Sequence, residues 1–101
     1  MSAVTQITMF RVAPGRIDEF LKRSSKMKKI RERAGAKVRY YRTVTGANLP
    51  AIVAVAETGG WKAYGEYMAK LEADLEWQKL RAEVRAEGTL IEIVLSQEIE
   101  V

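Results

Sequence analysis

The chain has 101 residues, 48% of them hydrophobic and 30% charged, with a net charge of +4, the balance expected of an ordinary soluble globular protein and not of a disordered or membrane one. It contains no cysteine and no histidine, which removes disulfides, thiolate chemistry, zinc sites of the usual N/S type and histidine general-base catalysis together. The length fits one domain over residues 1–101, and the longest apolar run, Ala51 to Ala56, falls far short of the roughly 20 residues that span a bilayer.

The N-terminus, Met1 to Gln6, lacks the positive segment, apolar stretch and cleavage site of a signal peptide, so a cytoplasmic location is expected. Residues 3–12 are rich in β-branched and apolar types and stop at Pro14-Gly15, which predicts a strand. A helix is expected from Arg16 to Ala34, with Gly15 as N-cap, Asp18 and Glu19 in the first turn, and Gly35 as the positive-φ residue beyond the end. Its inner side carries Ile17, Phe20, Ser24, Met27, Arg31 and Ala34, with Ile30 at the edge. Arg31 is the one cation on that side, and its stem can snorkel past the core. Lys22, Lys26, Lys29 and Arg33 form a basic stripe on the opposite side.

Two further strands are expected over residues 36–46 and 49–57, joined at Gly46-Ala47-Asn48. The second is apolar at both parities, with Leu49, Ala51, Val53 and Val55 on one face and Ile52, Ala54 and Ala56 on the other, which predicts cover on both sides. Beyond Gly59-Gly60, Trp61, Tyr64, Met68, Leu71 and Leu75 share one helical face. Trp77, Leu80 and Val84 share a nearly opposite one, so a break near Ala73-Asp74 is expected, with Asp74 capping a short helix to Ala86. The last strand is expected from Thr89 to the C-terminus, with Thr89, Ile91, Ile93, Leu95, Ile99 and Val101 at one parity and Glu92, Ser96, Glu98 and Glu100 at the other.

The order β-α-β-β-α-β predicts a ferredoxin-like, split βαβ fold of the α+β class: a four-stranded antiparallel sheet with helices on one face. The first and third strands are central and the second and fourth are edges. The apolar residues on the open face need cover, which a second copy supplies by packing sheet against sheet.

Three stretches carry a wider likeness: Val12-Ala13-Pro14-Gly15-Arg16 leading into Asp18-Glu19-Phe20, the Thr45-Gly46 turn, and Leu71 to Trp77. Through them the chain resembles the dimeric α+β-barrel superfamily, and within it the NIPSNAP-like and antibiotic-biosynthesis-monooxygenase-like proteins. The resemblance implies a homodimer whose ligand cavity lies between the sheet and the helices of each subunit. That superfamily includes cofactor-independent oxygenases, haem-degrading enzymes, lactone isomerases and members with no known activity, so it does not select a function. Haem-binding relatives use an axial histidine, which this chain lacks, and no cofactor is expected.

Monooxygenase relatives hold polycyclic phenols with aromatic, arginine and asparagine side chains. The counterparts here are Tyr40, Arg42, Asn48, Trp61, Tyr64 and Trp77. Trp61 and Tyr64 also fit a plain core stripe, and Asn48 a plain turn. Arg11, Tyr40 and Arg42 stand on strands among apolar neighbours, where an arginine pairs with a ligand carboxylate or bridges subunits. The candidate ligand-binding set is therefore Arg11, Tyr40, Arg42, Trp61 and Tyr64, with no metal site. Three functions follow as expectations: a binder of a small apolar or aromatic molecule, a cofactor-independent monooxygenase or isomerase of an aromatic or polyketide-like substrate, and a protein docking an acidic partner through its basic helix. Nucleic acid is not expected, because the third strand has no aromatic on which bases could stack.

Overall fold

The chain leaves its first strand, β1 (Val4–Val12), through a tight turn in which the Arg16 N–H donates to the Ala13 carbonyl at 3.1 Å. Gly15 takes φ +82° there, so it serves the turn and Arg16 occupies the N-cap position of α1 (Ile17–Arg33), one residue later than expected. At the other end Ala36 N–H donates to Arg31 O and Gly35 N–H to Glu32 O, with Gly35 at φ +111°. These two bonds form the glycine-dependent Schellman closure that satisfies the last carbonyls of a helix. The computed structural model describes residues 2–46 and 51–101. Asn48, Leu49 and Pro50, with most of the turn expected at Gly46-Ala47-Asn48, lie outside the described residues.

The remaining elements are β2 (Lys37–Arg42), β3 (Ala51–Thr58), α2 (Trp61–Ala73), α3 (Leu75–Glu87) and β4 (Gly88–Gln97). β2 stops at Arg42, earlier than its sequence pattern suggests. The break in the second helical region falls at Asp74, whose backbone is extended (φ −89°, ψ 113°). Its Oδ1 accepts from the Trp77 N–H at 2.9 Å and so caps α3. The break lets α2 bury Tyr67 and Leu71 while α3 buries Trp77, Leu80 and Val84. The face expected for α2 holds only in its middle. Tyr67, next to that stripe, is 1% exposed and is the anchor, while Trp61 in the first turn is 54% exposed and Leu75 lies beyond the break in solvent.

The sheet order is β2-β3-β1-β4, all antiparallel, with β3 and β1 central as expected. Val4, Thr8, Phe10 and Val12 of β1, Ile52, Ala54 and Ala56 of β3 and Val38 of β2 are buried beneath the helices. Phe20, Met27 and Ile30 of α1 close over them, and each fully buried side chain of this size contributes about 1.5–3 kcal/mol. The other face carries Ile7, Met9, Val53 and Val55, half-buried and without a helix above them. Cover on both sides of β3 is therefore not supplied by the chain itself. β4 departs from strict alternation. Met9 pairs with Glu92 and Phe10 with Leu90, so β4 holds one extra residue at that point. The bulge brings Leu90 to the same side as Ile93.

Candidate functional site

The core is incompletely filled on the β4 side of the helix layer. A cavity of about 140 Å³ lies there between sheet and helices. Gln6, Thr8 and Phe10 of β1 form its floor, Met27 and Arg31 line it from α1, Met68 and Leu71 from α2, and Trp77, Arg81, Val84 and Arg85 from α3. Leu90 and Ile93 stand at its β4 edge and are 38% and 50% exposed, so the cavity opens toward that edge. Arg23 of α1 pairs with Glu83 and Glu87 of α3 and holds these two helices together.

Arg31 departs most from the sequence reading. It does not snorkel but is 4% exposed, its guanidinium carbon 4.8 Å from the Trp77 ring centroid and 6.0 Å from that of Tyr40. The rings supply cation–π attraction, yet Nε and Nη1 are buried with no hydrogen-bond partner among the described residues. Tyr67 Oη is likewise buried and unpartnered. Burial pushes the Tyr67 hydroxyl up to about 12 and that of Tyr40 upward, and the Arg31 charge opposes the rise in both. Arg81 is half-buried and pairs with Glu72 at 3.0 Å, while Arg85 is exposed at the mouth.

None of the five residues singled out from the sequence is among those lining the cavity. Tyr64 reaches its border, accepting a long 3.5 Å hydrogen bond at Oη from Gln6 Nε2, and its ring meets Trp61 edge-on at 6.0 Å. Tyr40 lies behind Arg31 on the helix side of the sheet. Arg42 shares that parity but is exposed at the end of β2, and Arg11 is exposed on the opposite, open face. The structure thus brings Trp61 and Tyr64 together, sets Tyr40 beside Arg31, and separates Arg11 from both groups. Of the basic stripe, Lys22, Lys26 and Lys29 are exposed, and Arg33 reaches Asp74 at 3.5 Å. A signal for the residues that were missed does exist in the sequence. Gln6 and Thr8 are polar at the core parity of β1, and Arg31 is a lone cation on a buried helix stripe.

No helix among the described residues is long and apolar enough to cross a membrane. No protein-family model matches the chain, and no curated protein does. Solved structures do. A NIPSNAP domain protein from Burkholderia xenovorans superposes with TM-score 0.76 at 18% identity, covering 97% of this chain and 94% of its own. A cofactor-independent oxygenase from Streptomyces nogalater superposes with TM-score 0.77 at 19% identity, over 100% and 97% of the two chains. A structure assigned to the antibiotic biosynthesis monooxygenases, from Chloroflexus aurantiacus, gives TM-score 0.71 at 14% identity over 99% and 96%. The strand order, the helices on one face and these superpositions agree: the chain has the ferredoxin-like fold of the NIPSNAP-like and antibiotic-biosynthesis-monooxygenase-like proteins.

Proposed function

We propose that the protein is a homodimer packed through the open faces of its sheets, and that each subunit binds a small apolar or aromatic molecule between sheet and helices. The cavity carries this reading. Its walls are mostly apolar, with a few convergent polar groups, which is the usual make-up of a small-molecule site. An apolar cavity of about 150 Å³ holds a benzene-sized molecule, so the volume of about 140 Å³ here favours a ligand of one ring over a polycyclic one. Toluene is a suitable neutral probe. It is expected to perturb the fluorescence of Trp77 saturably, and Val84→Trp, which fills the cavity, is expected to abolish the effect. No saturable change in the wild type would overturn the reading.

The dimer is supported by the patch of Ile7, Met9, Val53 and Val55, extended by the exposed Tyr41 and Val94 and rimmed by Lys37, Arg39, Glu57 and Glu92. A half-apolar sheet face with charges of both signs at its rim suits a self-complementary interface. Sedimentation at micromolar concentration is expected to give twice the chain mass. Val53→Asp, which places an unpaired charge in the centre of the patch, is expected to give a folded monomer. A monomeric wild type would overturn the dimer.

A further inference from the structure

Among the described residues Arg31 is a charged group buried without an anion. Five helix carboxylates are engaged by other arginines, Glu19 by Arg16, Glu72 by Arg81, Glu83 and Glu87 by Arg23, and Asp74 by Arg33, and the rest, Asp18, Glu32, Glu66 and Glu76, stand exposed at the surface. Among the described residues no ion pair includes Arg31. A guanidinium cannot shed its proton to escape burial, so the charge remains and its unmet N–H donors destabilise the unliganded fold. Stacking on Trp77 and Tyr40 offsets part of this but occupies none of those donors.

We propose that the cavity is a receptor for a small carboxylic acid, with Arg31 taking the carboxylate and the apolar wall taking the body of the ligand. This rests on the ligand-binding reading above and narrows it to one chemical class. Three observations on the cavity converge. Arg31 lines the cavity, and its Nε and Nη1 are buried with no hydrogen-bond partner among the described residues. Arg85 stands at the exposed mouth of the same cavity, and Arg81, paired with Glu72, lines the wall between, so positive charge at the mouth and at the buried end draws in an anion. Phe10, Leu71, Val84 and Ile93 offer the apolar surface that a ring or a short alkyl chain would cover. A carboxylate matches the planar fork of an arginine with two parallel hydrogen bonds, and an aromatic ring suits the space beside Trp77.

The test is calorimetric titration of the full-length protein at pH 7 with benzoate and with toluene, which share a ring and differ in charge. Benzoate is expected to bind at least about tenfold more tightly than toluene, about 1.4 kcal/mol. Arg31→Met is expected to lose benzoate by about 30-fold or more, keep toluene within about threefold, and melt higher than the wild type because the lone charge is gone. Toluene binding without benzoate binding, or benzoate affinity that survives Arg31→Met, would overturn the carboxylate proposal and leave the apolar cavity reading standing. Binding of neither probe would overturn both. Should Arg31→Met fail to fold, Arg31→Lys keeps the charge and removes the fork. A fall in benzoate affinity with toluene unchanged then supports the proposal, and an unchanged benzoate affinity overturns it.

Discussion

Raising the pH from 10 to 12 is expected to lower the stability of the protein by about 2 kcal/mol through Tyr67 alone. In the unfolded chain a tyrosine ionises near pH 10, whereas burial holds Tyr67 neutral in the folded state up to about pH 12. Between those values the folded state binds the proton that the unfolded state has released. Stability is therefore whole below pH 10, falls by about 1.4 kcal/mol per pH unit above it, and has lost this contribution past pH 12. Tyr40, also raised by burial, adds to the decline in the same direction. Urea unfolding at a series of alkaline pH values measures the slope. Tyr67→Phe should remove most of it, because no other atom of the ring titrates. The same substitution deletes a buried hydroxyl with no partner among the described residues, so it should add about 1 kcal/mol at pH 7. A steep alkaline slope that persists in Tyr67→Phe would show that another group carries the effect.

Tyr67 was not legible in the sequence as an anchor. It lies three residues after Tyr64 and four before Leu71, at the margin of the apolar stripe, and periodicity cannot say which margin the sheet will cover. The break at Asp74 was legible, because two apolar faces of opposite phase cannot both be buried on one straight helix, and an aspartate stood at the junction to cap the second segment. Strand order was legible from the apolar content of β3. That Arg11 stands on a different sheet face from Tyr40 and Arg42 was not, since parity within each strand does not reveal the register between strands. Register puts Arg11 opposite Ala51 on the open face and Tyr40 opposite Ala54 on the helix side. The bulge in β4, which turns both Leu90 and Ile93 toward the cavity, leaves no mark in the alternation until the partner strand is known.

The site, in contrast, is marked by broken rules. A well-built core leaves no polar atom unsatisfied and no void of this size. Here Arg31 Nε and Nη1 and Tyr67 Oη have no hydrogen-bond partner among the described residues, and the field of Arg31 reaches Tyr67 beside a cavity of about 140 Å³. Departures gathered in one place, while the rest of the sheet obeys its pattern, are what a functional site leaves behind when stability alone does not decide the residues.

Leu71→Ala is expected to cost about 2–5 kcal/mol, toward the upper end of that range. Leu71 is 2% exposed and lines the cavity from α2, so the atoms it loses border space that is already empty. Neighbours relax into a new void only when they can move toward it, and here the surrounding chains are held. Phe10 is packed on Phe20 at 5.4 Å between ring centroids, and α3 is tied to α1 through Arg23. The void therefore joins the existing cavity instead of collapsing. Against a total stability of about 5–15 kcal/mol for a typical domain, such a loss brings the variant near its limit and is readily measured by urea unfolding. The enlarged space has a second consequence that separates packing from binding. Toluene should raise the melting temperature of the wild type more than the larger naphthalene does, and Leu71→Ala should reverse that order, since a ligand stabilises only the state that can hold it. A destabilisation below about 1 kcal/mol would show that Leu71 is not packed as described. A full destabilisation with the order of ligands unchanged would show that the cavity it lines is not where they bind.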